Sequence, residues 1–190
     1  MKKQGGFGKF AKKFRIMAAI EKEDILLLTR LMTILHHTPE MPVDKLGNNM
    51  FHMACYMGKI KMMKFAFENY HLDIEQYNAD GLAPIHLAVK GVSIEAVKWL
   101  WEHGADCHIV TQVWEKSPIK LCQEMLKDPE HTKNYGKIRK ILDYLRELYF
   151  IDKRGYERRK FIWAYQKFKD KNKWIGKFPL GMAREIAEFL

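Results

Sequence analysis

The stretch at residues 78–106, NADGLAPIHLAVKGVSIEAVKWLWEHGAD, decides the fold. Gly81 stands where a tight turn needs freedom in φ, and Pro84 suits the first turn of a helix, where no N–H donor is required. Apolar residues then recur at helical spacing from Ile94 to Trp101, and Gly104 follows as a C-terminal cap. The stretch therefore predicts a turn, a short helix, a loop and a second helix.

The same unit recurs in the neighbouring sequence. The segment at 44–65, DKLGNNMFHMACYMGKIKMMKF, and the segment at 113–125, VWEKSPIKLCQEM, align with it. This alignment places His52, His86 and Lys120 at equivalent positions, and both steps are 34 residues. A constant step of this length indicates a repeat protein.

The repeat resembles the ankyrin family. The family pattern is a turn glycine, then Thr-Pro-Leu-His-x-Ala, a Val/Leu-rich helix and Gly-Ala-Asp. The matching residues are Gly81, Ala83, Pro84, Ile85, His86, Ala88, Val97, Leu100, Gly104, Ala105 and Asp106. The unit before it departs from this pattern ahead of His52, and the unit after it has Lys120 in place of the histidine. The resemblance implies an all-α solenoid without enzymatic activity, which binds proteins through its turn tips and first helices, and in which the histidines brace the turns.

Two flanking units complete the expected stack, because a single repeat cannot bury its own apolar face. Residues 18–32 resemble an opening helix pair, and residues 136–148 form the last second helix after an insertion that is expected to loop out. We expect about four helix-turn-helix units over residues 15–150. They are flanked by a basic N-terminal arm at 1–14 and a basic, aromatic-rich helical extension at 151–190.

The resemblance implies a protein partner in the concave groove, where apolar residues stand at several tip and helix-end positions. The predicted protein-binding residues are Leu46, Asn48, Tyr56, Met57, Leu82, Lys90, Val113, Trp114 and Met125. Exposed apolar side chains along one strip indicate a protein interface. The alternative is that the basic ends of the chain fold back over this strip.

Positive charge is concentrated at the two ends of the chain. Residues 1–20 contain six bases and no acid, and residues 151–190 contain eleven bases and five acids. The predicted polyanion-binding residues are Lys9, Lys12, Lys13, Arg15, Arg158, Arg159, Lys160, Lys167 and Lys169. Bases interleaved with aromatic residues fit RNA or an acidic protein surface, but an amphipathic helix that buries its aromatic residues has the same pattern.

The last residues offer a second function. Phe178, Pro179, Ile186 and Leu190 resemble the F-box-like tails that close some viral and protist ankyrin proteins. That resemblance implies an adaptor that recruits substrates to a ubiquitin ligase. The alternative is a helical cap on the last repeat.

The first twenty residues bear on location. Phe7, Phe10, Phe14 and Met17 follow helical spacing in an acid-free segment, as in a mitochondrial presequence. A retained basic arm is the alternative, because the segment runs into the first repeat. The expected setting is therefore intracellular, either cytoplasmic or mitochondrial, and an accessory role in a mitochondrial complex or a ribonucleoprotein is a further hypothesis. No membrane-spanning or secretory segment is expected.

The sequence offers no constellation typical of catalysis. His36 and His37 lack a second pair of ligands, and the histidines and the cysteine at 103–108 fall in a turn between repeats. We expect no enzyme, metal or cofactor. Trp99 and Trp101 are expected to pack in or near the core.

Overall fold

The computed structural model describes residues 7–149, with side chains for residues 13–148. Within this part the regular structure is entirely helical, as the sequence predicts. The α-helices are α1 (Phe7–Glu21), α2 (Ile25–Leu35), α3 (Met50–Tyr56), α4 (Ile60–Tyr70), α5 (Pro84–Lys90), α6 (Ile94–Glu102), α7 (Pro118–Met125) and α8 (Tyr135–Tyr149). A 3₁₀ helix at Pro129–Asn134 precedes α8.

The helices pair into four units, α1 with α2, α3 with α4, α5 with α6 and α7 with α8. The first helices stack on one another from α1 through α3 and α5 to α7. The second helices stack in the same direction, since α4 contacts α6 and α6 contacts α8. This is the predicted solenoid.

The core lies between the two helix layers. The second helices bury Leu28, Leu31 and Met32 in α2, and Ile138, Ile141, Leu142 and Leu145 in α8. Trp99 and Trp101 in α6 are also buried, as expected from the sequence. Burying a large apolar side chain stabilises a fold by about 1.5–3 kcal/mol, so these positions hold the units together.

Close contact between backbones fixes the spacing of the second and third units. A Cβ added at Gly91, the residue after α5, would overlap the backbone carbonyl of Tyr56 at the end of α3. At the other end of the units, the Ala79 N–H donates to the Leu46 carbonyl at 3.0 Å, and the Gln112 N–H donates to the Gly81 carbonyl at 2.9 Å. Adjacent turns are therefore tied together.

The two repeat histidines brace these turns. Nδ1 of His86 accepts the Ala83 N–H at 3.1 Å, and Nε2 lies 3.1 Å from the Ile109 carbonyl. Because Nδ1 accepts, Nε2 must carry the proton and donate. His52 repeats this arrangement with Asn49 at 3.3 Å and Gln76 at 2.7 Å. Burial lowers the pKa of His86 to about 4 and also lowers the pKa of His52, so both rings are neutral near pH 7.

The ends of the stack carry the largest departures from a regular repeat. Helix α1 begins at Phe7 and runs through the expected arm boundary near residue 14. Its buried residues include Ile16 and Ile20, whereas Phe14 is 73% exposed. The insertion before α8 forms the 3₁₀ helix and contributes no buried residue. The predicted extension at 151–190 lies outside the described residues.

Candidate protein-binding site

The 34-residue step defines two rows of side chains along the first helices and their turns. Leu46, Asp80 and Trp114 occupy equivalent places at successive turn tips, and we call them the tip row. Tyr56, Lys90 and Glu124 occupy equivalent places near the ends of α3, α5 and α7, and we call them the helix-end row. A seven-residue helix such as α3 is about 10 Å long, which sets the scale between the rows.

The tip row presents apolar side chains on a fixed backbone. Leu46 is exposed, and Trp114 is 54% exposed beside the exposed Val113. Asn78 holds the middle turn, because its Oδ1 accepts the N–H groups of Asp80 at 3.0 Å and Leu82 at 2.8 Å. Because the turn is already held in one conformation, little conformational entropy is lost when a partner binds to its side chains, and this favours binding.

The helix-end row combines an aromatic ring with both signs of charge. The side chains of Tyr56 and Lys90 are exposed at the ends of α3 and α5. Glu124 is half-buried and its Oε2 lies 2.6 Å from Nζ of Lys116. Met57, which follows Tyr56, is half-buried against the core. The row therefore offers one aromatic contact and one cation, Lys90, which makes no ion pair with the side chains that the structure describes.

Three of the predicted binding residues are buried, and the expectation that the strip exposes them is wrong. Leu82 is only 2% exposed, and Met125 packs in the core. Asn48 is buried in the turns, where its amide donates to Asp44 Oδ2 at 2.6 Å and its Oδ1 accepts from the Asn78 amide at 2.8 Å. Leu82 was mistaken for a tip residue because its position within the repeat was misjudged. Counting 34 residues back from Leu82 gives the buried Asn48, whereas the residue equivalent to the exposed tip residue Leu46 is Asp80.

Sequence reasoning did not select Asp80 and Glu124, although the repeat step contains the signal. Counting 34 residues from Leu46 gives Asp80, and counting 34 from Lys90 gives Glu124. A search for apolar residues passes over both positions. The mixed apolar and charged character of the surface is visible only when each row is followed at a constant step.

The predicted polyanion-binding residues are only partly within the described side chains. Nζ of Lys13 donates to the Asp44 carbonyl at 3.3 Å, so this lysine fastens α1 to the first turn. Arg15 is exposed. Lys9 and Lys12 belong to α1, but their side chains are not described. The five predicted residues at 158–169 and the F-box-like residues at 178–190 lie outside the described part.

One group of side chains within the described residues has atoms close enough for a metal ion, namely Asp106, Cys107 and His108. A carboxylate oxygen of Asp106 already accepts the His108 N–H at 2.8 Å. Burial raises the pKa of the Cys107 thiol to about 11, whereas a metal ligand must be a thiolate. These features are those of a turn between repeats. Burial likewise raises the pKa of Cys122 to about 12, so this thiol is protonated near pH 7.

Comparison with known proteins agrees with this architecture. The family described as ankyrin repeats, in three copies, matches residues 16–111, which is half of the chain. The chain belongs to the ankyrin-repeat family. It is also 25% identical over 81 residues to an ankyrin repeat protein of Acanthamoeba polyphaga mimivirus; the match covers 43% of this chain and 8% of the viral protein.

Family membership places this ankyrin-repeat protein among protein–protein interaction modules, a class that is generally non-enzymatic. In the part of the chain that the structure describes, no helix is long and apolar enough to cross a membrane.

Proposed function

We propose that this ankyrin-repeat protein binds its protein partner through the tip row and the helix-end row together. The observation that carries the proposal is the exposure of Trp114 beside Val113. Both residues lie on a turn that is joined to the turn of the preceding repeat by the backbone hydrogen bond from Gln112 to Gly81. Tryptophan and tyrosine dominate the residues that contribute most to protein interfaces. Trp114 and Tyr56 supply one ring to each row.

The rest of the surface supports the same conclusion. Leu46 and Val113 extend the apolar contact along the tips, while Lys90 and Asp80 place opposite charges on the third repeat. Apolar anchors surrounded by polar side chains are typical of protein interfaces. The partner is therefore expected to contribute an apolar surface to the tips and a carboxylate to Lys90.

The test is quantitative affinity purification from the native source with the full chain and single variants as bait. Trp114→Ala and Tyr56→Ala should each lower recovery of the same partner by about tenfold, since an interface anchor contributes about 1–2 kcal/mol. Tyr135→Ala is the matched control, because the Tyr135 ring at the start of α8 is as exposed as Tyr56, at 45% each. Circular dichroism should show all three variants folded.

Equal recovery with Trp114→Ala, Tyr56→Ala and Tyr135→Ala would contradict the proposed surface. The finer roles stated from sequence stay predictions: RNA or an acidic surface at the basic ends, and recruitment to a ubiquitin ligase through residues 178–190.

A further inference from the structure

Helices α6 and α8 each have one side that contacts the second helix of the repeat before them. In the third repeat this contact is aromatic: Trp99 on α6 and His103, the C-cap residue of α6, lie edge-on to Phe67 on α4, with ring centroids 5.5 Å and 5.8 Å from that of Phe67. Ala96, one turn earlier on α6, is fully buried. Trp99 and His103 therefore mark the side of α6 that faces the preceding unit, and helix geometry places Ala96 on the same side.

The helix caps identify the corresponding side of α2. Asp24, Lys59 and Ser93 are the N-cap residues of α2, α4 and α6, which gives steps of 35 and 34 residues. By this count Ala96, Trp99 and His103 correspond to Leu27, Arg30 and Ile34. These three residues point to where the second helix of a preceding repeat would lie.

Two further contacts agree with this assignment. Lys22 corresponds to Gly91, and Gly91 lies against Tyr56 of the preceding unit. Glu23 faces the opposite way, since its Oε1 accepts the Lys61 N–H of the following unit at 3.1 Å. We call Lys22, Leu27, Arg30 and Ile34 the stacking face of the first repeat.

The two apolar residues of the stacking face are exposed. Leu27 is 38% exposed and Ile34 is 71% exposed, whereas Met62 and Ala96, which correspond to Leu27, are fully buried. Leu27 and Ile34 are seven residues apart and lie on one side of α2, about 10 Å from each other along the helix. Leu27 is therefore exposed at a position that is buried in the next two repeats, whereas the residues that correspond to Ile34 are the exposed Asn69 and the half-buried His103. Two exposed apolar side chains on one side of α2, beside a position that is normally buried, are within the described residues the geometry of an unfilled helix-packing site.

We propose that the stacking face binds an amphipathic helix of a partner protein, with an apolar stripe on Leu27 and Ile34 and carboxylates opposite Arg30 and Lys22. The charge of the face favours an acidic helix over a neutral one. Within α2 and its N-cap the one acid is Asp24, whose Oδ1 already accepts the Leu27 N–H at 2.8 Å. Lys22 and Arg30 are therefore available to bind carboxylates of the partner.

The same charges disfavour the other helices that could lie here. Arg30 lies between Leu27 and Ile34 on α2. If two copies of the chain packed symmetrically through this stripe, Arg30 of one copy would therefore lie opposite Arg30 of the other. Helix α2 contains no acid to separate the two guanidinium groups. The chain's own residues 151–190 contain eleven bases and five acids, so they repel the face as well.

The experiment uses the full chain and two synthetic helical peptides. Both peptides carry the same leucine stripe, and they differ only in having glutamate or lysine beside it. Fluorescence anisotropy should show binding of the glutamate peptide at least about tenfold tighter than binding of the lysine peptide, because like charges at an interface are unfavourable. Ile34→Lys should weaken the glutamate peptide by about tenfold, and Arg30→Glu should invert the preference between the two.

Thr29→Lys is the matched control for Ile34→Lys. Thr29 is exposed and lies on another side of α2, and its equivalents Lys64 and Lys98 are exposed lysines, so a lysine suits this position. This variant should bind the glutamate peptide as the unmodified chain does.

Equal affinity for the two peptides, or equal loss in Thr29→Lys and Ile34→Lys, would overturn the proposal. So would a dimer in sedimentation that Ile34→Lys dissociates, because a second copy would then be the occupant. Cross-linking from Ile34→Cys into residues 151–190 of the same chain would also overturn it. Recovery of the partner in the Trp114→Ala experiment does not depend on this face, so the two proposals can fail separately.

Discussion

The second and third repeats differ from the first and fourth in how their turns are held. His52 and His86 each connect the start of a first helix to the loop that leads to the next unit. Met17 and Lys120 stand at the corresponding positions of the terminal units, and the turn before α7 relies instead on Ser117, whose Oγ accepts the Lys120 N–H at 3.3 Å. The interior units are therefore joined through buried histidine side chains, whereas the side-chain hydrogen bonds of the terminal units, from Lys13, Glu23 and Ser117, are half-buried or exposed. Changes inside the stack should consequently cost more than changes at its ends.

The largest effect is expected from Gly91→Ala. The new Cβ would meet the backbone of Tyr56, which cannot move without separating α3 from α5, so the free energy of unfolding should fall by about 3 kcal/mol or more. Urea denaturation followed by circular dichroism measures this loss.

Gly136→Ala is the control at the end of the stack. Nothing lies within 4 Å of a Cβ at Gly136 in α8, so alanine should leave stability unchanged or raise it by up to about 1 kcal/mol through helix propensity. Equal losses in the two variants would show that the contact between the interior units is not tighter than the exposed end.

The second prediction concerns pH and His86. Burial lowers the pKa of His86 to about 4 in the folded chain, compared with 6.5 when unfolded. Between these values the unfolded chain binds the proton more readily, so the stability that the neutral ring contributes is complete above pH 6.5 and is lost as the pH falls toward 4. The full loss is on the order of 3 kcal/mol for this one ring.

Urea unfolding at pH 7.5, 6, 5 and 4 tests this loss. His86→Gln should be less stable at pH 7.5, because its amide cannot reproduce both contacts, and should show a shallower decrease in stability toward pH 4. A variant with the same slope as the unmodified chain would show that the interior histidine is not the source of the pH dependence.

The interior repeats were also the part that sequence predicted best, because their signals are local. Gly81, Pro84 and His86 each meet a backbone requirement at a fixed step, and Trp99 and Trp101 are buried as expected. The candidate site was predicted less well. Leu46 and Leu82 are both leucines next to a turn glycine. They differ in their position within the 34-residue repeat, which places Leu46 at an exposed tip and Leu82 in a buried position.

The first repeat shows the other limit. Leu27 and Ile34 are apolar residues close to the buried Leu28, Leu31 and Met32, and no prediction about their exposure was made from the sequence. Leu27 is exposed where the equivalent Met62 and Ala96 are buried, and within the described residues no unit packs against this side of α2. Helical periodicity reports which side of a helix is apolar and carries no information about whether a neighbour covers that side.

The smallest effect is expected at the turn inside each repeat, where the second and third units differ from one another. Glu23, Gly58 and Val92 occupy this turn and all have positive φ, of 52°, 65° and 55°. Valine is strained in this region because its branched Cβ crowds the backbone, at a cost of about 1–2 kcal/mol. Val92→Gly should therefore raise the free energy of unfolding by about 1 kcal/mol, after its lost packing and the greater freedom of an unfolded glycine are subtracted.

The reciprocal change, Gly58→Val, separates strain from packing. It introduces the same strain and also places a Cβ against the Ser93 hydroxyl, so it should destabilise the chain by more than Val92→Gly stabilises it. Urea midpoints of the two variants against the unmodified chain measure both changes. If Val92→Gly lowers the midpoint, the contacts of the valine side chain outweigh its backbone strain, and the third repeat keeps valine there for packing, because the half-buried side chain lies against the core.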